Sequence, residues 1–121
     1  MMRPWLLAFA LLASPMLTSP TLAATPFDGR WSVSIVTERG DCDRGYRYDV
    51  RIENGRLSYD GEGGFSFSGA VAADGAVKVA VSKGNQNASG AGRLSARSGS
   101  GTWRGRSSAG ECSGRWDAER R

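Results

Sequence analysis

Trp31, Trp103 and Trp116 each stand two residues after a glycine, in Gly29-Arg30-Trp31, Gly101-Thr102-Trp103 and Gly114-Arg115-Trp116. Indoles placed this way can pack a core, with the glycine letting another ring or backbone come close, or they can wall a ligand site. Arg104, Arg106 and Arg115 lie beside them in the chain, and a guanidinium suits bidentate contact with carboxylate or phosphate. These six residues are the candidates for ligand contact. Other chemistry is poorly provided for. The chain has no histidine, so the commonest general base and the commonest metal ligand are both missing. Serine is plentiful but has no partner to activate it in the manner of a triad. Catalysis would fall to carboxylates, and the close pairs Asp41 with Asp43 and Asp60 with Glu62 read as solvated loops. Neither pair reaches the oxygen-ligand count of a calcium loop. No catalytic residue, metal site or cofactor is therefore assigned, and an enzyme is not expected.

The elements that position these side chains read with period two. Phe27, Trp31, Val33 and Ile35 share one parity, as do Tyr46, Tyr48, Val50 and Ile52, with polar or small residues between. Asn54-Gly55 is the dipeptide of a two-residue type I′ hairpin, and Asp74-Gly75 marks another tight turn. Leu57 with Tyr59, Phe65 with Phe67 and Val71, and Val77 with Val79 and Val81 continue the inward sets. A polar loop is expected over 83–87, a weak strand over 88–97 and a turn over 98–101. The last strand then sets Cys112, Gly114, Trp116 and Ala118 on one face. Eight short strands with no helical period point to an all-β fold, either a small eight-stranded antiparallel meander barrel or a β-sandwich.

Residues 1–23 read as a signal peptide. Met1-Met2-Arg3 is a short basic start, Trp5 to Ala13 is apolar but too short to span a bilayer, and Thr21-Leu22-Ala23 offers a cleavage site. Residues 24–121 then form one domain, exported to the periplasm or secreted. In that setting Cys42 and Cys112 are most simply one disulfide. In an eight-stranded meander the last strand returns beside the first, which brings the two cysteines together and favours the closed barrel. Outward positions carry Arg, Ser, Asp, Glu and Lys, so insertion into a membrane is not expected. The formal net charge is +4, with the basic excess in the C-terminal part, where 93–121 holds seven arginines against three acids. Arginines pointing out and aromatics pointing in do not make the interleaved face that binds nucleic acid.

Gly29 and Trp31 on the first strand, with Arg120 or Arg115 near the C-terminus able to cover that indole, are similar to the calycin pattern of lipocalins, avidins and bacterial metalloprotease inhibitors. The Asp28-Gly29-Arg30-Trp31 start and the Gly114-Arg115-Trp116-Asp117-Ala118-Glu119-Arg120 ending also resemble small exported alphaproteobacterial β-barrel proteins loosely labelled as involved in haem utilisation or adhesion. The first resemblance implies a barrel that binds a small ligand at its mouth or blocks a protease. Without histidine, haem would have to be met by Tyr46, Tyr48 or Tyr59. The expectation is a monomeric, non-enzymatic binding protein for an unidentified small molecule or protein partner. The alternative is an inhibitor or adhesin acting by protein contact.

Overall fold

A computed structural model describes residues 24–59, 61 and 63–121. The expected signal peptide and the Asp60–Glu62 pair lie outside the described residues. Eight antiparallel strands close into a barrel in chain order. They are β1 (Gly29–Arg39), β2 (Gly45–Glu53), β3 (Arg56–Ser58), β4 (Ser66–Val71), β5 (Ala76–Lys83), β6 (Gln86–Leu94), β7 (Ser98–Ser107) and β8 (Gly110–Arg120). Strand β8 pairs back onto β1, with Trp31 opposite Arg120 and Ile35 opposite Trp116. That ladder removes the sandwich alternative.

Local sequence explains most of the turns. Asn54 and Gly55 take positive φ of 51° and 77° between β2 and β3, as a type I′ hairpin requires. Two stretches expected to be loop or turn are strand instead. β5 and β6 run to Lys83 and from Gln86, which leaves only Gly84-Asn85 between them. β7 begins at Ser98, with Ser98–Gly101 paired to Glu119–Trp116, and the reversal moves back to Ser95, whose N–H donates to the Ser98 carbonyl at 2.7 Å. Small residues there made the segment read as a turn. They serve to leave room for an indole from β8.

The buried core gathers at the end of the barrel where the segment before β1 meets the end of β8. Phe27, Trp31, Val50, Ile52, Val71, Val77, Leu94, Trp116 and Ala118 form it. The segment before β1 folds across this end, and Trp31, only 1% exposed, donates its indole N–H to the Phe27 carbonyl at 2.9 Å. The Arg120 guanidinium covers the Trp31 ring at 5.3 Å. It also donates to the carbonyls of Pro26 and Asp28 in the segment before β1 and of Ala96 in the β6–β7 turn, tying both segments to the end of β8. Arg115, the other residue considered for this place, stands on the outer face and pairs with Glu38 and Asp117.

The opposite end is held by the Cys42–Cys112 disulfide, which spans 70 residues. The β1–β8 register slips between Thr37 and Arg39, and Gly40 follows with φ of 95°. A Cβ at Gly40 would meet the Cys112 sulfur at 2.7 Å, so only glycine lets the β1–β2 loop fold tightly enough over β8 for Cys42 to reach it. A disulfide of this kind belongs to a non-reducing, extracytoplasmic compartment.

Candidate ligand site

Above the packed plug the barrel holds a cavity of about 250 Å³ that opens toward the disulfide end. Its walls follow from strand parity. Val33 and Ile35 of β1, Val79 and Val81 of β5 and Ala88 of β6 supply aliphatic surface, and Trp103 and Trp116 supply indole. The remaining wall is aromatic. Tyr46 stacks on Tyr48 at 6.1 Å between ring centroids, Tyr48 meets Tyr59 edge to face at 5.5 Å, and Tyr59 lies 6.4 Å from both Phe65 and Phe67. Tyr46 and Phe65 stay 36% and 39% exposed, so the cluster reaches from the cavity to the rim. Lys83 sets its ammonium 5.0 Å above the Phe65 ring at that rim.

The aromatic wall sits where sheet pairing is thinnest. β3 has three residues, and β3 and β4 share a single ladder pair, Arg56 with Ala70. Tyr59, Phe65 and Phe67 lie on the segments that follow β3 and enter β4, and their rings meet toward the rim. Burial pushes the phenol of Tyr48 above its ordinary range, and its tyrosine neighbours Tyr46 and Tyr59 add to the shift. Burial does the same to Tyr46, helped by the carboxylate of Asp43. Both hydroxyls therefore stay protonated at neutral pH and remain hydrogen-bond donors.

The three tryptophans separate by depth. Trp31 lies in the plug, beneath Arg120, and helps form the floor. Trp103 is half-buried on the wall and donates its indole N–H to the Val36 carbonyl at 3.0 Å. Gly114 is the ladder partner of both Trp103 and Thr37, and a Cβ there would run into the Val36 carbonyl. Trp116 lies flat over the glycines of β6 and β7. A Cβ at Gly92 would come within 2.5 Å of its Cζ2, one at Gly101 within 2.6 Å of its Nε1, and one at Gly90 within 3.7 Å of the same nitrogen. Its Nε1 is buried and has no hydrogen-bond partner among the described residues.

The arginines go elsewhere. Arg104, Arg106 and Arg115 are exposed on the outer faces of β7 and β8, where Arg106 pairs with Glu111 across the β7–β8 turn. Arg106 also borders the cavity mouth, whereas Arg104 and Arg115 do not join it. Asp41 and Asp43 are exposed in the β1–β2 loop. Of the rim residues, Phe65, Phe67 and Lys83 are not among the sequence candidates, and Tyr46, Tyr48 and Tyr59 enter there only as the side chains that could meet haem. Their signal was present as large inward aromatics clustered at the strand ends nearest the cysteines. A scan against protein-family models finds no match to this chain, and neither the curated proteins nor the solved structures supply one.

Proposed function

We propose that this is an exported, non-enzymatic binding protein that holds a small, largely apolar ligand inside its barrel. The ligand enters at the end that carries the disulfide, and the protein works in the periplasm or outside the cell as a monomer. The observation that carries this reading is the cavity of about 250 Å³, walled by aliphatic and aromatic side chains and continuous with a rim of exposed rings. Sites that bind small molecules have this make-up, a mostly apolar concave lining with few polar groups. The volume lies below the range of roughly 300–1,000 Å³ usual for drug-sized ligands, which speaks for a compact molecule and against a macrocycle such as haem. The absence of histidine and the exposure of Asp41 and Asp43 speak against an enzyme.

Native mass spectrometry of the protein purified from the organism that encodes it tests this directly. A reproducible added mass of small-molecule size is expected. Replacing Ala88, which borders the mouth, with tryptophan should abolish that mass while leaving the far-UV spectrum and the disulfide unchanged. An added mass that survives Ala88→Trp would place the ligand outside the barrel. A bare chain that co-purifies with a protein would replace this reading with that of an inhibitor or adhesin.

A further inference from the structure

Two inward rows of the barrel end in a positive charge, one at each end of the molecule. On β8 the row Cys112, Gly114, Trp116 and Ala118 runs to Arg120, and on β5 the row Val77, Val79 and Val81 runs to Lys83. Arg120 is taken up by backbone carbonyls over the plug. Lys83 is placed differently. It stands at the mouth, paired with Gln86 in the β5–β6 ladder, and both side chains line the cavity. Its ammonium rests over the Phe65 ring at 5.0 Å and makes no hydrogen bond or ion pair among the described residues. Ser107 ends the inward row of β7 at the same mouth. An ammonium, an amide and a hydroxyl thus stand above walls of valine and ring.

The charge lining this mouth has one sign. No Asp or Glu borders the cavity among the described residues, and the carboxylate of Asp43 reaches Tyr46 without joining the lining. Arg106, the second cation at the mouth, is engaged by Glu111. Ring faces attract cations, but Phe65 already carries Lys83, and a second cation would meet that ammonium. A carboxylate drawn wholly into the barrel would be desolvated at high cost. At the mouth it keeps water on one side and meets the ammonium on the other. Below it, about 250 Å³ leaves room for a body of one or two rings, since a cavity of about 150 Å³ takes benzene. Resting on the binding function proposed above, we infer that the ligand is a compact amphipathic monoanion, its apolar body in the cavity and its carboxylate at the mouth on the Lys83 ammonium. The Gln86 amide and the Ser107 hydroxyl give the same head two neutral donors.

Naphthoate, naphthamide and naphthylmethylammonium share one ring body and differ in the charge of the head. Calorimetric titration of each into the purified protein should rank their affinities in that order. Lys83→Met keeps an unbranched stem against Phe65 and removes the charge. Lys83 is exposed, so the variant should fold as the unmutated protein does. It should weaken naphthoate roughly three- to tenfold, between the worth of an exposed ion pair and that of a charge-assisted hydrogen bond, and leave naphthamide within about twofold. Lys83→Arg should retain naphthoate. Raising salt from about 50 to about 500 mM should weaken naphthoate and spare naphthamide. Naphthamide or the ammonium binding as tightly as naphthoate would overturn the inference and leave the cavity reading standing. So would Lys83→Met if it left naphthoate unchanged or weakened naphthoate and naphthamide alike. Naphthoate that binds Ala88→Trp undiminished would put the anion on the outer arginines and overturn the inference as well. Failure of all three probes to bind at millimolar concentration would overturn both the inference and the binding function beneath it.

Discussion

At Asp28 one carboxylate joins the plug to a hairpin that follows it in the chain. Oδ1 accepts from the Thr25 hydroxyl at 2.7 Å and the Gly55 amide at 3.1 Å, and Oδ2 accepts from the Asn54 amide at 2.8 Å. The Thr25 hydrogen bond does most to hold this carboxyl below its ordinary value, outweighing the desolvation that opposes it, and the two hairpin amides add to the effect. A carboxyl whose pKa is lower folded than unfolded stabilises the fold fully above its unfolded value and loses that contribution as pH falls through the folded one. Asp28→Asn should therefore lower the melting temperature by a few degrees at pH 7. The gap to the unmutated protein should close as pH drops below the ordinary value of 3.8. Thermal scans from pH 7 to pH 2.5 check this, and a gap that stays constant would mean that the charge is not involved. The dipeptide Asn54-Gly55 announces its own turn, because positive φ is a local property of those residue types. The carboxylate that caps its amides comes from 26 residues earlier, and no local pattern announces it.

Strands β6 and β7 show an element shaped by a side chain from a third strand. Read alone, their glycines and serines look like a weak strand followed by a turn. Against Trp116 they become a smooth seat, with Gly92 and Gly101 paired in the ladder and both under the ring. A methyl at Gly101 would meet the indole at 2.6 Å and the Ala91 carbonyl closer still, and the carbonyl cannot move without breaking the ladder. Gly101→Ala should cost about 1–3 kcal/mol, the usual penalty for overpacking, and more if the ring is displaced. Gly45→Ala is the control. Its Cβ would approach only the Ile35 carbonyl at 3.8 Å, and its effect should stay within about 0.5 kcal/mol. Urea unfolding of both variants measures the difference, and equal midpoints would refute the seat. The same element logic locates the aromatic wall. One ladder pair joins β3 to β4 among the described residues, and the rings of Tyr59, Phe65 and Phe67 meet on the segments beside it.

At the scale of the molecule, one end of the barrel is closed by packing and the other, where the cavity opens, is tied at its rim by a covalent bond. The plug end has the buried core and the Arg120 clamp, whereas the rim end has exposed rings and the Cys42–Cys112 bridge. Bridging positions 70 residues apart restricts the unfolded chain by about 4 kcal/mol in the chain-entropy model. Replacing both cysteines with serine should lower stability by about that much, a large part of what a domain this small has. Denaturant unfolding would show it as a shifted midpoint, and an unchanged midpoint would remove the bridge from the stability of the fold. Barrel closure and the pairing of the two cysteines could be read without coordinates. Alternating polarity, hairpin dipeptides and an even number of strands are local signals that add up to a return of β8 beside β1. Depth could not be read. The three Gly-x-Trp segments are alike in sequence, yet one indole bonds Phe27 in the plug, one bonds Val36 on the wall, and one is buried on the β6–β7 glycines with no hydrogen-bond partner among the described residues. Period two states which face a side chain takes. How far along the barrel it lies, and which carbonyl or glycine it meets there, follows from the stagger of eight strands paired over long range, and that is a property of the closed sheet alone.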